Sequence, residues 1–208
     1  SMRYDYTRER AAVFLDELLD RLRQNGGIES PSLRTVGRFG PAPGFKMTID
    51  GVEREAPASS SSEAVDPSFF STIGLPIVSG RGFDGSDTAG SPPVVIVSES
   101  FARWIADGGS AIGRSLGVPR GPSSTAVADI IGIVPDLITE IGTTEPFVAY
   151  QPFAQVGRPG VTATLVLRAA DDPGAAMREA LAAARALNTD VILSQIMTLD
   201  QRMAEQMN

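Results

Sequence analysis

Asp66-Pro67-Ser68-Phe69-Phe70-Ser71-Thr72-Ile73-Gly74, continuing as Leu75-Pro76-Ile77-Val78-Ser79-Gly80-Arg81-Gly82-Phe83, is the stretch on which the fold turns. Asp66 offers a carboxylate for a helix N-cap, and Pro67 suits the first helical position, where no N–H is needed. Phe69, Phe70 and Ile73 then share one side of a short helix, and Gly74 supplies a left-handed stop. A turn-rich run from Leu75 to Asp87 leads to Pro93-Val94-Val95-Ile96-Val97. That unbroken apolar run has the length of a strand covered on both faces. Ser98 reads as the cap of a following helix with Phe101, Trp104 and Ile105 along one side.

Upstream, the serine run Ser59 to Ser62 has the composition of a linker, but it leads directly into the Asp66 helix start and is read as a strand reaching Val65. Phe45 to Ile49 alternates as a strand and turns at Asp50-Gly51. Ile28 to Phe39 is a further strand. Thr7 to Gln24 is a helix with Ala11, Leu15, Leu18 and Leu22 on one face, widened by Phe14 and Leu19, and stopped by Asn25-Gly26-Gly27. Downstream, Ser115 to Val118, Ala126 to Val134 and Pro146 to Phe153 are strands, and Gly157 to Gly160 is a connector. The last fifty residues read as strand, helix, strand, helix. Val161 to Leu167 alternates, and Asp172-Pro173 opens a helix burying Met177, Ala180, Leu181, Ala184 and Leu187. Val191 to Met197 is a second strand, and Thr198 with Gln201 forms a capping box. The opening helix and strand resemble the second half of this unit, a loose internal repeat. The expectation is an α+β protein, a mixed α/β two-lobed domain. Residues 1–74 and 158–208 form a discontinuous βαβ-type lobe, and residues 75–157 form a strand-rich inserted lobe.

The 208 residues are 42% hydrophobic and 21% charged, which suits a folded domain with a real core. A net charge of −7 argues against a protein that tracks nucleic-acid phosphates. Between Asp50 and Glu99, the acids Asp50, Glu53, Glu55, Glu63, Asp66, Asp84, Asp87 and Glu99 meet only Arg54 and Arg81, which reads as a solvated acidic face. Cysteine and histidine are absent and Lys46 is the one lysine. Serine–histidine–carboxylate triads, cysteine–histidine dyads and histidine-ligated zinc therefore cannot be built from this sequence. Gly113-Arg114-Ser115-Leu116-Gly117 fits a nucleophile elbow, but no histidine base exists and a helix, not a strand, precedes it. Gly108 to Ser115 resembles a phosphate loop with Arg114 in place of lysine, in the reverse order of helix then strand. Asp84 and Asp87, in Gly-Phe-Asp-Gly-Ser-Asp, lack the spacing of a calcium loop and read as turn and cap residues. The expectation is no catalytic, cofactor-binding or metal-binding residue, and no enzyme.

No apolar run reaches the ~18 residues that span a bilayer, and the polar start, Ser1 to Arg10, is no secretory signal. Ser1-Met2 reads as a cloning scar, making Arg3 the first native residue of an excised piece.

With these features placed, a family comes into view. The stretch Asp66 to Phe83 resembles a signature of MacB-like periplasmic core domains, found in FtsX/MacB-type ABC-transporter permeases. Pro92 to Arg103 is similar to that family's strand–helix step, Ile112 to Leu116 to its glycine turn, and Asp129 to Asp136 to a later strand. The opening helix with Gly26-Gly27-Ile28-Glu29-Ser30 also resembles the family's start. Ser98 stands where the family usually carries Asn, and the Ser59 to Ser62 run is unusually polar. The resemblance implies a two-lobed domain between the first and second transmembrane helices of a permease. That placement is on the periplasmic, extracytoplasmic face of the bacterial inner membrane, with the anchoring helices outside this chain. It implies a separate cytoplasmic ABC ATPase, a second permease copy as dimer partner and a periplasmic partner, with ATP-driven motion passed on for export. It brings no catalytic residues and no cofactors. The isolated chain is expected to be monomeric in dilute solution. The competing expectation is a periplasmic ligand-binding or sensor domain of the same membrane topology; a carboxylate-dependent hydrolase would rest on Asp84 and Asp87 alone.

Overall fold

The computed structural model describes residues 8–38, 46–57, 60–121, 124–140, 143–145, 147–156, 163–187 and 198. The chain opens with α1 (Arg8–Arg23), β1 (Ile28–Arg38), the hairpin β2 (Lys46–Ile49) and β3 (Val52–Glu55), then β4 (Ser61–Val65) and α2 (Phe69–Ile73). Next come β5 (Ser79–Gly80), β6 (Val94–Ser98), α3 (Glu99–Ala106), β7 (Ser115–Gly121) and β8 (Ser124–Val134). A small hairpin, β9 (Leu137–Glu140) with β10 (Thr143–Glu145), precedes β11 (Val148–Pro152), α4 (Phe153–Val156), β12 (Thr164–Ala169) and α5 (Pro173–Leu187). The strand expected over Val191 to Met197, the Thr198–Gln201 box and the Gly157 to Gly160 connector lie outside the described residues, apart from Thr198 itself.

One mixed sheet runs β12-β1-β4-β11-β6-β8-β7-β2-β3, with β5 added alongside β8. Two neighbours in it are parallel, β4 with β11 and β6 with β8; the other pairs are antiparallel. This is the mixed α/β architecture that the alternation of helices and strands suggests. Hairpin β2–β3, which the sequence reading grouped with the chain ends, stands at the opposite end of the sheet beside β7.

Burial explains why β6 sits centrally: all five of its residues are buried. Val95 and Val97 join Phe101, Ile105, Leu116 and Ile130 on the face covered by α3. Val94 and Ile96 join Phe69, Phe70, Val134 and Tyr150 on the face covered by α2. At the other end of the sheet, α1 and α5 pack on each other through Leu18, Leu22, Ala176, Ala180 and Ala184. Short connections at one end, Gln24–Gly27 and Ala170–Asp172, join these helices to the antiparallel pair β1–β12, so the helices themselves run antiparallel.

Two glycines set the approach of β5 to β8. A Cβ on Gly80, whose φ is 75°, would lie 2.1 Å from the Ile131 carbonyl oxygen, and one on Gly132 would lie 2.4 Å from that of Arg81. Only the absence of a side chain lets these backbones meet.

Two expectations require correction. The residue that precedes α2 is Ser68, in helical backbone conformation and without a side-chain cap bond. Asp66 acts one step earlier, accepting the Ser68 N–H at 2.9 Å and the Ser68 hydroxyl, because Pro67 and Ser68 form a turn ahead of the helix. Nor do the acids of residues 50–99 form one solvated face. Asp50 pairs with Arg114 at 2.6 Å, Glu53 with Lys46 at 3.4 Å, Glu63 with Arg34 at 3.6 Å and Asp66 with Arg23 at 3.5 Å. These bases come from outside the stretch, so the local charge imbalance is answered by tertiary structure.

Candidate functional site

The segment after α2, with the loop that follows it, gathers the residues the sequence singled out. Phe70 anchors α2 against Phe83 and Tyr150, with ring centroids 6.0 and 5.1 Å away. Gly74 ends the helix in the left-handed region at φ 75°, and the chain turns through Leu75-Pro76-Ile77. Pro67, Phe70, Leu75, Pro76 and Ile77 line an open, mainly apolar groove on this outer side.

Beyond it, Ser79-Gly80 pairs with Ile133 and Gly132, which aims Arg81 at its own loop. The guanidinium donates to both oxygens of Asp87 at 2.8 Å and to the Gly82 carbonyl at 2.9 Å. Asp87 also accepts the Asp84 N–H at 2.9 Å. The hydrogen bonds from Arg81 hold the Asp87 carboxyl below the ordinary carboxylate range, against the opposing effect of burial. Asp84 faces the Arg81 guanidinium through one oxygen, at 3.6 Å. Its other oxygen accepts the N–H and hydroxyl of Ser86 at 2.8 and 2.5 Å, and these bonds lower its pKa as well. The two carboxylates therefore close a loop around Arg81. Among the described residues, no group of three or more acids could hold a metal ion.

Ser115 begins β7 after a turn through Gly113, at φ 82°. Its N–H donates to Asp50 at 2.8 Å, and Arg114 donates to the same carboxylate at 2.6 Å. These bonds lower the Asp50 pKa, the Ser115 N–H having the largest effect. The glycine-rich turn follows α3, whose last residue leads into Asp107 at φ 49° and Gly108 at φ 92°. Helix then strand is the order read from the sequence, and the Arg114 guanidinium donates to the Ile105 carbonyl near the end of α3.

Three positioning residues escape a reading of the sequence. Asp136 accepts the Ser100 N–H at 2.8 Å and the Ser100 hydroxyl at 2.5 Å, so it caps α3 from 36 residues away. The Ser98 hydroxyl, expected to be that cap, instead accepts the Val148 N–H at 3.0 Å. Gln155 joins the loop before β6 to α4, accepting from Val94 N–H at 2.9 Å and donating to Ser91 Oγ and the Pro92 carbonyl at 3.0 and 2.9 Å. Arg54, on β3, lies 4.9 Å over the Trp104 ring. No local pattern announces any of these, since each pairs residues distant along the chain.

No helix among the described residues is long and apolar enough to cross a membrane. The family model of MacB-like periplasmic core domains matches residues 7–187. Among solved structures, the periplasmic region of MacB from Actinobacillus actinomycetemcomitans is similar at 17% identity and TM-score 0.67, over 92% of this chain and 81% of that one. The extracellular domain of the noncanonic ABC-type transporter YknZ from Gram-positive bacteria is similar at 16% identity and TM-score 0.59, over 88% of each chain. At such identities the likeness is one of fold. Among curated proteins none matches the sequence.

Proposed function

The chain belongs to the family of MacB-like periplasmic core domains of ABC-transporter permeases, and from that premise we propose that it carries ATP-driven motion to exported cargo or envelope partners. The motion originates at a separate cytoplasmic ABC ATPase and reaches this domain through membrane helices that flank it. A second permease copy stands beside it, and a periplasmic partner receives the movement.

The observation that carries this reading is the antiparallel packing of α1 against α5. The start of α1 and the end of α5 lie at the same pole of the domain, at a shared apolar contact that includes Phe14 and Leu187. Movement of the flanking membrane helices then acts on one helix pair, and the sheet joined to it responds as a lever. In this reading the domain itself catalyses nothing. The absence of histidine from the sequence and the engagement of Asp84 and Asp87 within one loop support that view.

The sequence holds no cysteine, so one introduced thiol is unique to this chain. Val127→Cys, at a residue 61% exposed, accepts a spin label in the full permease assembled with its ATPase. The expected result is a label-to-label distance between two permease copies that changes when a non-hydrolysable ATP analogue binds. No dipolar coupling would remove the second copy, and a distance indifferent to nucleotide would remove motion transfer. A saturable ATP-binding signal from the isolated chain would equally overturn the reading.

A further inference from the structure

We propose that the β1–β4 boundary is a hydrogen-bonded joint, at which the layer formed by α1, β1, β12 and α5 opens and shifts as a unit against the rest of the domain. This deepens the motion-transfer reading, on which its biological purpose rests; the physical joint stands on the structure alone.

Each side of the boundary has its own apolar body. The chain-end layer packs Leu18, Leu22 and Ile28 against Ala176, Ala180 and Ala184. The central body packs Phe69, Phe70, Ile96, Val134, Val148 and Tyr150 on one face of the sheet, and Val95, Val97, Phe101 and Ile105 on the other. What crosses between them is largely polar. Ser68 Oγ donates to the Pro31 carbonyl at 3.1 Å, and the Ser30 and Thr72 hydroxyls meet at 2.6 Å. Arg168 donates to the Thr72 and Ser71 carbonyls at 3.0 and 3.3 Å. Arg34 faces Glu63 at 3.6 Å, and Arg23 faces Asp66 at 3.5 Å. The apolar contacts that cross are one small buried cluster, Leu19 and Leu33 against Phe153 with Ala64 beside them, and Val166 at the cluster under α2.

α2 shows the asymmetry within a single element. Phe69 and Phe70 seat it in the central body, while Ser68, Thr72 and its last carbonyls address β1 and β12. The two kinds of contact respond differently to displacement. Exposing an apolar face costs free energy in proportion to area, whereas a hydrogen bond can be exchanged for one to water at small net cost. Separation along this boundary exchanges its hydrogen bonds for water and exposes one small apolar cluster rather than either main core, and α2 travels with the central body.

Amide hydrogen exchange by NMR on the 208-residue chain tests this residue by residue. Amides bonded across the β1–β4 ladder, Arg34 to Arg38 against Ser61 to Val65, are expected to exchange about tenfold or more faster than those of the β1–β12 and β6–β8 ladders. Arg168→Met removes donors from two carbonyls of α2 and should speed the β1–β4 amides several-fold further while leaving β6–β8 unchanged. Ser30→Val combined with Thr72→Val replaces a polar contact by an apolar one and should slow them. One common protection level for all three ladders, or variants that move every ladder together, overturns the joint. Loss of nucleotide-dependent motion in the assembled permease would instead count against the transport reading and leave this exchange pattern standing.

Discussion

Arg81 and Asp87 show how one side-chain pair can hold a loop that sequence alone leaves ambiguous. Asp87 is buried while Arg81 is half-exposed, so the pair is partly screened by solvent and its two hydrogen bonds contribute about 1–2 kcal/mol. The depressed pKa of Asp87 gives that contribution a direction in pH. A carboxylate held below its ordinary pKa stabilises the fold above that ordinary value and loses the contribution as pH falls through the folded-state value. Thermal unfolding of the native chain and of Asp87→Asn should therefore differ near neutral pH, and the gap should close as pH falls below about 4. A difference unchanged down to pH 3 would show that the carboxylate charge plays no part. Asp84 and Asp87 were legible as turn residues from their Asp-Gly-Ser-Asp setting. Their partner was not, because Arg81 reaches them only once Gly80 lies against β8.

At the scale of elements, α3 separates what local sequence can say from what it cannot. Its apolar side and its start after the Val94–Val97 run follow from periodicity, and the structure places the helix at Glu99–Ala106. The cap does not follow, because Asp136 reaches Ser100 from beyond β8 and frees Ser98 to serve the β11 backbone. The two residues should accordingly fail in different places. Asp136→Ala is expected to cost about 1 kcal/mol, the usual value of a cap, and to loosen amides in the first turn of α3. Ser98→Ala leaves the buried Val148 N–H without this acceptor, costing about 1–3 kcal/mol, with faster exchange at Val148 and not in α3. Equal loosening of α3 in both variants would reverse the assignment. The same distinction runs through the fold. Strands with alternation or a closing Asp-Gly turn were readable, whereas the place of β2–β3 beside β7 was not. That placement rests on Asp50 accepting from Arg114 and Ser115, 64 and 65 residues away.

For the whole molecule, the chain-end layer and the central body should be separable in equilibrium unfolding once one of them is weakened. Trp104 is the sole tryptophan and sits 5.8 Å from Phe101 in the α3 cluster, so its fluorescence reports the central body. Helical circular dichroism is weighted toward α1 and α5, the two longest helices among the described residues, with 16 and 15 residues. Leu22 is 1% exposed and packs in the α1–α5 contact, remote in the fold from Trp104. Leu22→Ala removes buried apolar volume from the chain-end layer alone and should destabilise it by about 2–5 kcal/mol. If the polar boundary couples the two bodies weakly, dichroism in that variant falls at lower denaturant than tryptophan fluorescence, while Ile96→Ala moves the fluorescence transition at least as far. If instead the continuous sheet makes the domain one cooperative unit, both probes fall together in both variants, as two-state unfolding requires. The weak-coupling outcome is expected, because the contacts crossing from β1 and β12 to β4 and α2 are mostly hydrogen bonds that water can replace. The domain would then be two rigid bodies meeting at a compliant boundary, as the proposed transfer of motion requires.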